Sequence, residues 1–322
     1  MAAGIRYSVV VPVRDEEEVL PEFYSRVGEA MRATGEPYEL LFVDDGSTDG
    51  SLPLLERLAG EDPAVRVVCL SRSFGHQAAL AAGLDRARGD AVVTLDADLQ
   101  DPPSLIGEMI ARWQGGAEVV SARRARRRGE RLLKKAAAFL FSRLLRRISA
   151  VRMAVDTADF RLLDRRVCDS LRALPERRRY LRGMVSWVGF SQAEVLYERQ
   201  GRAAGKPKYR WGGSFRLAMD AVTSFSRAPL RTALWLGLLV IAGGLGALAY
   251  ALARGPAAVP SRVWALAIPV LLVTNGLTLV MIGLLGQYVG RISDEVKGRP
   301  LYVVAKLVGF GAESPSGRRS SE

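Results

Sequence analysis

Five continuous apolar runs within about the first 125 residues, separated by amphipathic stretches, constrain this chain more than any other feature. They are Tyr7–Val13, Glu39–Val43, Val65–Leu70, Ala91–Leu95 and Glu118–Ser121. Helix-like segments begin between them, near Glu16, Ser51, Gln77 and Ser104. A sheet with one wet face would alternate apolar and polar residues, and these runs do not. Apolar strands alternating with helices predict an α/β domain, a Rossmann-like and mostly parallel sheet covered on both faces. Such sheets bind ligands outside the carboxyl ends of their strands. The acidic and Gly-bearing turns fall there: Arg14-Asp15, Asp44-Asp45-Gly46-Ser47, Ser71-Arg72 and Asp96-Ala97-Asp98.

A second constraint lies near the C-terminus. Thr232–Ala253 and Val263–Leu285 are each apolar over a length that crosses a bilayer as a helix, about 20 residues at about 1.5 Å each. The connector Arg254–Arg262 is too short for a domain, so the two runs predict a transmembrane hairpin. Arg210, Arg216, Arg227 and Arg231 precede it; Arg291, Lys297, Arg299 and Lys306 follow it. The connector holds only two arginines. The positive-inside rule then places both ends in the cytoplasm. Gly243 and Gly244 on the first run, with Gly283, Gly286 and Gly290 on the second, would permit close helix contact within or between chains, hence a homo-oligomer.

The predicted organisation is a soluble domain over 1–210, a juxtamembrane amphipathic helix over 211–231, a hairpin over 232–289 (spans 232–253 and 263–287) and a cytoplasmic tail over 290–322. Within that tail, Ser314–Glu322 reads as disordered. Met1–Arg6 leads directly into the first strand, so no secretory leader is expected and the soluble domain is expected to be cytoplasmic. Cys69 and Cys168 have no metal-ligand spacing and read as reduced core residues. Further strands are predicted at Asp159–Leu163 and Gln192–Tyr197, with a Gly- and Lys-rich loop over Arg199–Tyr209.

The formal net charge of +12 requires an anionic partner or surface. Nucleic acid is disfavoured, because no helix-turn-helix pattern, zinc spacing or aromatic-rich RNA motif is present. Anionic lipid headgroups fit better. Arg123–Arg152 interleaves basic residues with Leu132, Leu133, Phe139, Leu140 and Leu144 at roughly helical spacing. That pattern suits a helix on a membrane surface or one packed on the domain, and both readings stand.

Two acidic motifs carry chemistry. The strand-end Asp44 can accept hydrogen bonds from a base or ribose, or serve an Asx turn before the helix near Ser51. In Asp96-Ala97-Asp98-Leu99-Gln100-Asp101-Pro102-Pro103, an extended backbone would point Asp96 and Asp98 the same way. Their repulsion would then call for a cation. Hard divalent ions, Mg²⁺ or Mn²⁺, take one or two carboxylates plus substrate phosphates, so this spacing suggests a metal–diphosphate site.

Val11-Pro12-Val13-Arg14-Asp15-Glu16, Val43-Asp44-Asp45-Gly46-Ser47 and the Asp-Ala-Asp-Leu-Gln-Asp-Pro-Pro run resemble family 2 glycosyltransferases of the GT-A fold. Ser71–Gln77, Asp159–Leu162, Leu181-Arg182-Gly183 and Ser186–Phe190 resemble the bacterial polyprenyl-phosphate glycosyltransferases, a group that includes bactoprenol glucosyltransferases and is related to dolichol-phosphate mannose synthases. The resemblance runs from about Arg6 to Lys306 and implies roles for particular residues. Pro12, Asp15, Glu16, Asp44, Asp96 and Gln100 would bind the nucleotide-sugar, and Asp96 and Asp98 the metal. Asp159 would be the catalytic carboxylate, with Asp156 as the alternative. Arg123, Arg124 and Arg131 would meet the acceptor phosphate or lipid headgroups. Arg202, Lys208 and Tyr209 would lie on a loop over the diphosphate, although Lys206-Pro207 departs from the acidic residue and Ser that relatives often carry there. His76 sits in a family motif with no assigned role.

The resemblance implies inverting transfer of one sugar from a nucleotide-sugar such as UDP-glucose to undecaprenyl phosphate at the inner membrane. GDP-mannose or an amino-sugar donor is the alternative, and a non-catalytic membrane scaffold is the reading from another class. A processive synthase is disfavoured by the lack of a Gln-X-X-Arg-Trp motif and by too few membrane segments. A phosphate monoester has a second pKa of about 6 and needs no deprotonation near neutral pH, so Asp159 is expected to orient rather than to act as a base.

Overall fold

The structure is a computed structural model. It describes residues 4–124, 157–174, 176, 181–197, 235–240, 242–246, 249 and 261–310. The strands are β1 (Tyr7–Val13), β2 (Tyr38–Asp44), β3 (Val65–Leu70), β4 (Ala91–Thr94), β5 (Val119–Arg124), β6 (Thr157–Asp164), β7 (Gln192–Tyr197) and β8 (Val304–Val308). They form one sheet in the order β7-β5-β6-β4-β1-β2-β3-β8. The block β4-β1-β2-β3 is parallel throughout, as the uninterrupted apolar runs require. β6 runs antiparallel between β4 and β5, and β7 pairs parallel with β5.

Helices cover both faces. On one face α1 (Leu20–Arg32), α2 (Ser51–Glu61) and α4 (Ile106–Gln114) bury Phe23, Met31, Leu55 and Met109 against Val9, Val11 and Phe42. On the other, α3 (His76–Arg86) lays Ala79, Leu80 and Ala82 over Val10, Leu41 and Val43. The helices α5 (Arg165–Ala173) and α6 (Leu181–Trp187) complete that layer with Cys168, Leu171 and Met184. Cys69 and Cys168 are free and buried, and burial pushes their thiols up to about 11 and about 12. They are core residues, as their apolar contexts predict.

α1 begins at Leu20, later than the helix predicted from Glu16. The intervening backbone is taken by the next turn. The Glu16 N–H donates to Ser51 Oγ at 2.9 Å and the Glu17 N–H to Asp49 at 3.2 Å.

The larger departure is in the tail. The helix α7 (Ser261–Val296) continues past the predicted end at 287. Nothing breaks it before Gly298, at φ 61°, and Pro300, a standard C-terminal stop. Beyond it, β8 adds antiparallel to the β3 edge, setting Val67 opposite Val308 and Cys69 opposite Lys306. Lys306 reaches Glu56 at 2.8 Å and the Tyr302 hydroxyl donates to Asp85 at 2.8 Å. Residues 290–322 are therefore not simply a tail, because part of them completes the sheet of the N-terminal domain. Ser314–Glu322 lies outside the described residues.

Among the described residues one helix is long and apolar enough to cross a membrane, within α7 at Val273–Val296, with mean hydropathy 1.3. A shorter apolar helix occupies Trp235–Gly246. The connector of the predicted hairpin, the amphipathic helix over 211–231 and most of the basic stretch lie outside the described residues.

Candidate active site

The strand order reverses beside β1, whose neighbours are β2 and β4. The carboxyl ends of these three strands carry Arg14-Asp15, Asp44-Asp45 and Asp96, where a doubly wound sheet places its ligand. Asp44 closes β2 opposite Val13. Its carboxylate accepts the Ser47 N–H at 3.3 Å, and burial is the main cause that raises its pKa. The turn is tight. Gly46 sits at φ 69°, and a Cβ there would lie 2.7 Å from the Ser73 nitrogen, so no larger residue fits without moving backbone. Asp15, also left-handed at φ 51°, accepts the Thr48 N–H at 2.7 Å, while its own N–H donates to Ser47 Oγ at 3.1 Å. Asp15 and Glu16 thus shape the Asp44 turn. Pro12 is buried within β1 opposite Val43.

The acidic segment after β4 is not extended. Ala97 and Asp98 form a turn, and Leu99 is left-handed at φ 56°. The alternation that would point Asp96 and Asp98 the same way therefore fails. The cause is local: Asp98 Oδ1 accepts the Gln100 N–H at 3.1 Å, the competing side-chain bond that Asp offers in turns. Asp101 is buried and accepts the Tyr197 hydroxyl, which ties this turn to β7. Gln100 is buried in the same turn.

Asp96 remains the exceptional group. Its side chain is 37% exposed, yet Oδ1 is sealed from solvent and receives no hydrogen bond. Burial, then the neighbouring charges of Asp159, Asp98 and Asp101, push its carboxyl up to about 6, although His76 opposes the shift.

Asp159 is the opposite case. It lies in β6, 9% exposed, and burial alone would raise it. Hydrogen bonds from His76 and Arg182, and their charges, overcome burial and hold it well below the usual carboxylate range. Arg182, on α6, donates Nε to Oδ1 at 2.7 Å and Nη2 to Oδ2 at 2.8 Å, a bidentate pair. The Thr94 hydroxyl donates to the Asp159 carbonyl and locks β6 against β4. His76 Nε2 stands 3.3 Å from Asp159 and 3.5 Å from Asp96.

The site thus brings Asp96 and Asp159 together through His76, with the Asp44 turn at the end of β2, one strand beyond β1. Arg123 pairs instead with Glu194 of β7 at 2.8 Å, exposed. Arg124 ends β5, but its side chain lies outside the described residues. So do Arg131, Asp156, Arg202, Lys208 and Tyr209. Arg182 and Asp45 are the partners that motif reading missed. Asp45 accepts the Phe74 N–H at 2.7 Å and the Ser73 hydroxyl at 2.9 Å. Its place directly after Asp44 at a strand end was the available signal; Arg182 had only its place in a shared motif.

Among the described residues no three His, Cys, Asp or Glu side chains form a metal cage on their own. The donor set still suits a hard cation whose remaining ligands come from a diphosphate. A sealed carboxylate oxygen without a donor, on a group pressed toward protonation by its neighbours, is relieved by a divalent charge.

The sequence profile of Glycosyl transferase family 2 matches residues 8–172. An uncharacterized glycosyltransferase of Bacillus subtilis, YkcC, is 45% identical over 96% of this chain and 96% of its own. The SfII prophage-derived bactoprenol glucosyl transferase of Shigella flexneri is 39% identical over 94% of this chain and 98% of its own. A solved glucosyl-3-phosphoglycerate synthase from Mycobacterium tuberculosis, in complex with Mn²⁺, UDP and phosphoglyceric acid, shares the fold at TM-score 0.51. It is 22% identical, over 69% of this chain and 78% of its own. The chain belongs to glycosyltransferase family 2 and has the GT-A fold. It is a glycosyltransferase.

Proposed function

We propose that the enzyme transfers a single sugar from a nucleotide-sugar, UDP-glucose first among the donors, to a polyprenyl phosphate at the cytoplasmic face of the membrane. The lipid-linked monosaccharide is the product. The observation that carries the acceptor class is the bidentate Arg182–Asp159 pair. A carboxylate held this far below its usual range is a poor proton acceptor, so the site suits a nucleophile that needs no deprotonation. A phosphate monoester, mostly dianionic near neutral pH, is such a nucleophile, whereas a sugar hydroxyl is not. Near full-length similarity to proteins named bactoprenol glucosyl transferase supports the same reading.

In this reading the acceptor phosphate oxygen attacks the anomeric carbon as the bond to the departing nucleoside diphosphate breaks. One displacement inverts that centre. Asp44 would hold the base and ribose, and Asp96, with Asp98 from the turn that follows it, would hold Mg²⁺ or Mn²⁺ against the diphosphate. Bound there, the cation would supply positive charge against the leaving diphosphate. Arg202 and Lys208 add positive charge over it. Asp159 and Arg182 together fix the acceptor side, and pre-positioning both substrates removes much of the orientation cost. Membrane attachment comes from a hairpin of 232–253 and 263–287 with both ends cytoplasmic, aided by the amphipathic 211–231. The exposed apolar side chains of α7, such as Val273, Leu279 and Ile282, suit a lipid environment.

Purified protein should be incubated with undecaprenyl phosphate, Mg²⁺ or Mn²⁺ and a panel of UDP- and GDP-sugars, with lipid products read by mass spectrometry. One donor is expected to give a lipid heavier by a single hexose. Transfer to a soluble alcohol with none to the lipid would overturn the reading.

A further inference from the structure

No step above uses His76, the single histidine of the sequence. Its Nε2 faces two carboxylates from different elements, Asp159 Oδ2 on β6 at 3.3 Å and Asp96 Oδ1 after β4 at 3.5 Å. Both partners are acceptors, which assigns the ring hydrogen to Nε2. The backbone under the ring is also held. His76 opens α3, and the preceding residues Phe74 and Gly75 donate their N–H groups to Asp45 at 2.7 and 3.1 Å. Asp45 directly follows Asp44. A continuous set of polar contacts therefore runs from the nucleotide turn through the head of α3 to both carboxylates, and on to Arg182. The imidazole also offsets the repulsion that the Asp159 charge exerts on Asp96.

We propose that His76 is a positioning residue, whose Nε2–H bonds the acceptor-side Asp159–Arg182 pair while its ring stands within ion-pair reach of the donor-side Asp96, so that the two substrate halves keep their register. This rests on the sugar-transfer reading above. The role requires one N–H at a fixed place and no proton exchange, in keeping with an acceptor that has no proton to give up.

A spectroscopic and a kinetic measurement test it. With one histidine, full-length protein labelled with ¹⁵N-histidine gives one imidazole. Its Nε2 is expected to be protonated, and its resonance to shift in both Asp96→Asn and Asp159→Asn but not in the exposed control Asp169→Asn. An Nε2 without hydrogen, or a resonance indifferent to either site carboxylate, overturns the bridge. In steady state, His76→Ala is expected to lower kcat about 10- to 100-fold while KM for the nucleotide-sugar stays within about twofold. His76→Gln, whose amide N–H reaches the place of Nε2, should recover most of the rate, and the shorter His76→Asn should not. A Gln variant as slow as Ala would overturn the positioning role, because proton exchange would then be the essential property. Should the wild type transfer no sugar at all, the functional reading fails, and the imidazole resonance still decides the bridge.

Discussion

Arg182→Gln should cost the fold more than an ordinary exposed ion pair. Asp159 is 9% exposed, and Arg182 supplies bonds of 2.7 and 2.8 Å to its two oxygens. Removing one partner of a fully buried pair costs about 3–5 kcal/mol, because a charge is left unpaired. Arg182 is itself 38% exposed, so water replaces part of what is lost and about 2–3 kcal/mol remains. Asp159→Asn takes the carboxylate from Arg182 instead, in a wetter place, and should cost less. The double variant leaves neither charge facing an empty partner. Its cost should fall short of the sum of the singles by about 1–2 kcal/mol. Denaturant unfolding of the detergent-solubilised protein measures this as midpoint shifts at constant slope. The pH dependence has a definite sign. Asp159 has a folded-state pKa below its unfolded one, so its stabilisation is fully present above the unfolded value of about 4. It is lost only as pH falls further, through the folded value. The part of the gap between wild type and Arg182→Gln that Asp159 carries should therefore be lost in acid below about 4, and protonation of His76, which also bonds Asp159, should narrow the gap earlier. Strictly additive single and double costs would refute the pairing.

Further outcomes follow from the same geometry. Asp159→Asn should retain a partial transfer rate that rises little above pH 7, measured as a pH–rate profile; loss restored only by added base would indicate a general base instead. Asp96→Asn should stabilise the ligand-free protein by about 1 kcal/mol, raising Tm by about 2–4 °C, since it removes a carboxylate pressed by its neighbours. The same variant should lose cation-dependent UDP binding in calorimetry. Glu39, 1% exposed, accepts from Ser8 at 2.5 Å, Arg66 at 2.6 Å and the Arg88 N–H at 2.7 Å, at the amino-terminal ends of the strands. Glu39→Ala should cost about 3–5 kcal/mol in denaturant unfolding without changing KM for the donor.

The sheet was legible because its strands are buried on both faces. Val65–Leu70 and Gln192–Tyr197 were read to the residue, and Tyr7–Val13 likewise. β8 was not, because Val-Ala-Lys-Leu-Val is short and lies beyond a helix of 36 residues. Its partner β3 lies far back in the chain. α5 was missed although Asp164 stands as its N-cap, accepting the Arg166 N–H at 2.9 Å; its many charged residues hid the apolar stripe of Val167, Cys168 and Leu171. In the site, Asp44, Asp96 and Asp159 stand at or beside strand ends, so motif and topology agreed on them. The bonds from Arg182 and His76 to Asp159 span 23 and 83 residues, and no periodicity connects such positions. The backbone at Asp96 turns where the sequence pattern predicts extension, because a side-chain bond at Asp98 outweighs it.

The most direct test of the central reading is ³¹P NMR of undecaprenyl phosphate in vesicles with the purified enzyme, diamagnetic Mg²⁺ and the active nucleotide-sugar. The lipid monoester signal should convert to a phosphodiester while nucleoside diphosphate appears in equal amount, and a chelator should stop both. Nucleoside diphosphate released while the lipid phosphorus signal stays unchanged would contradict the account.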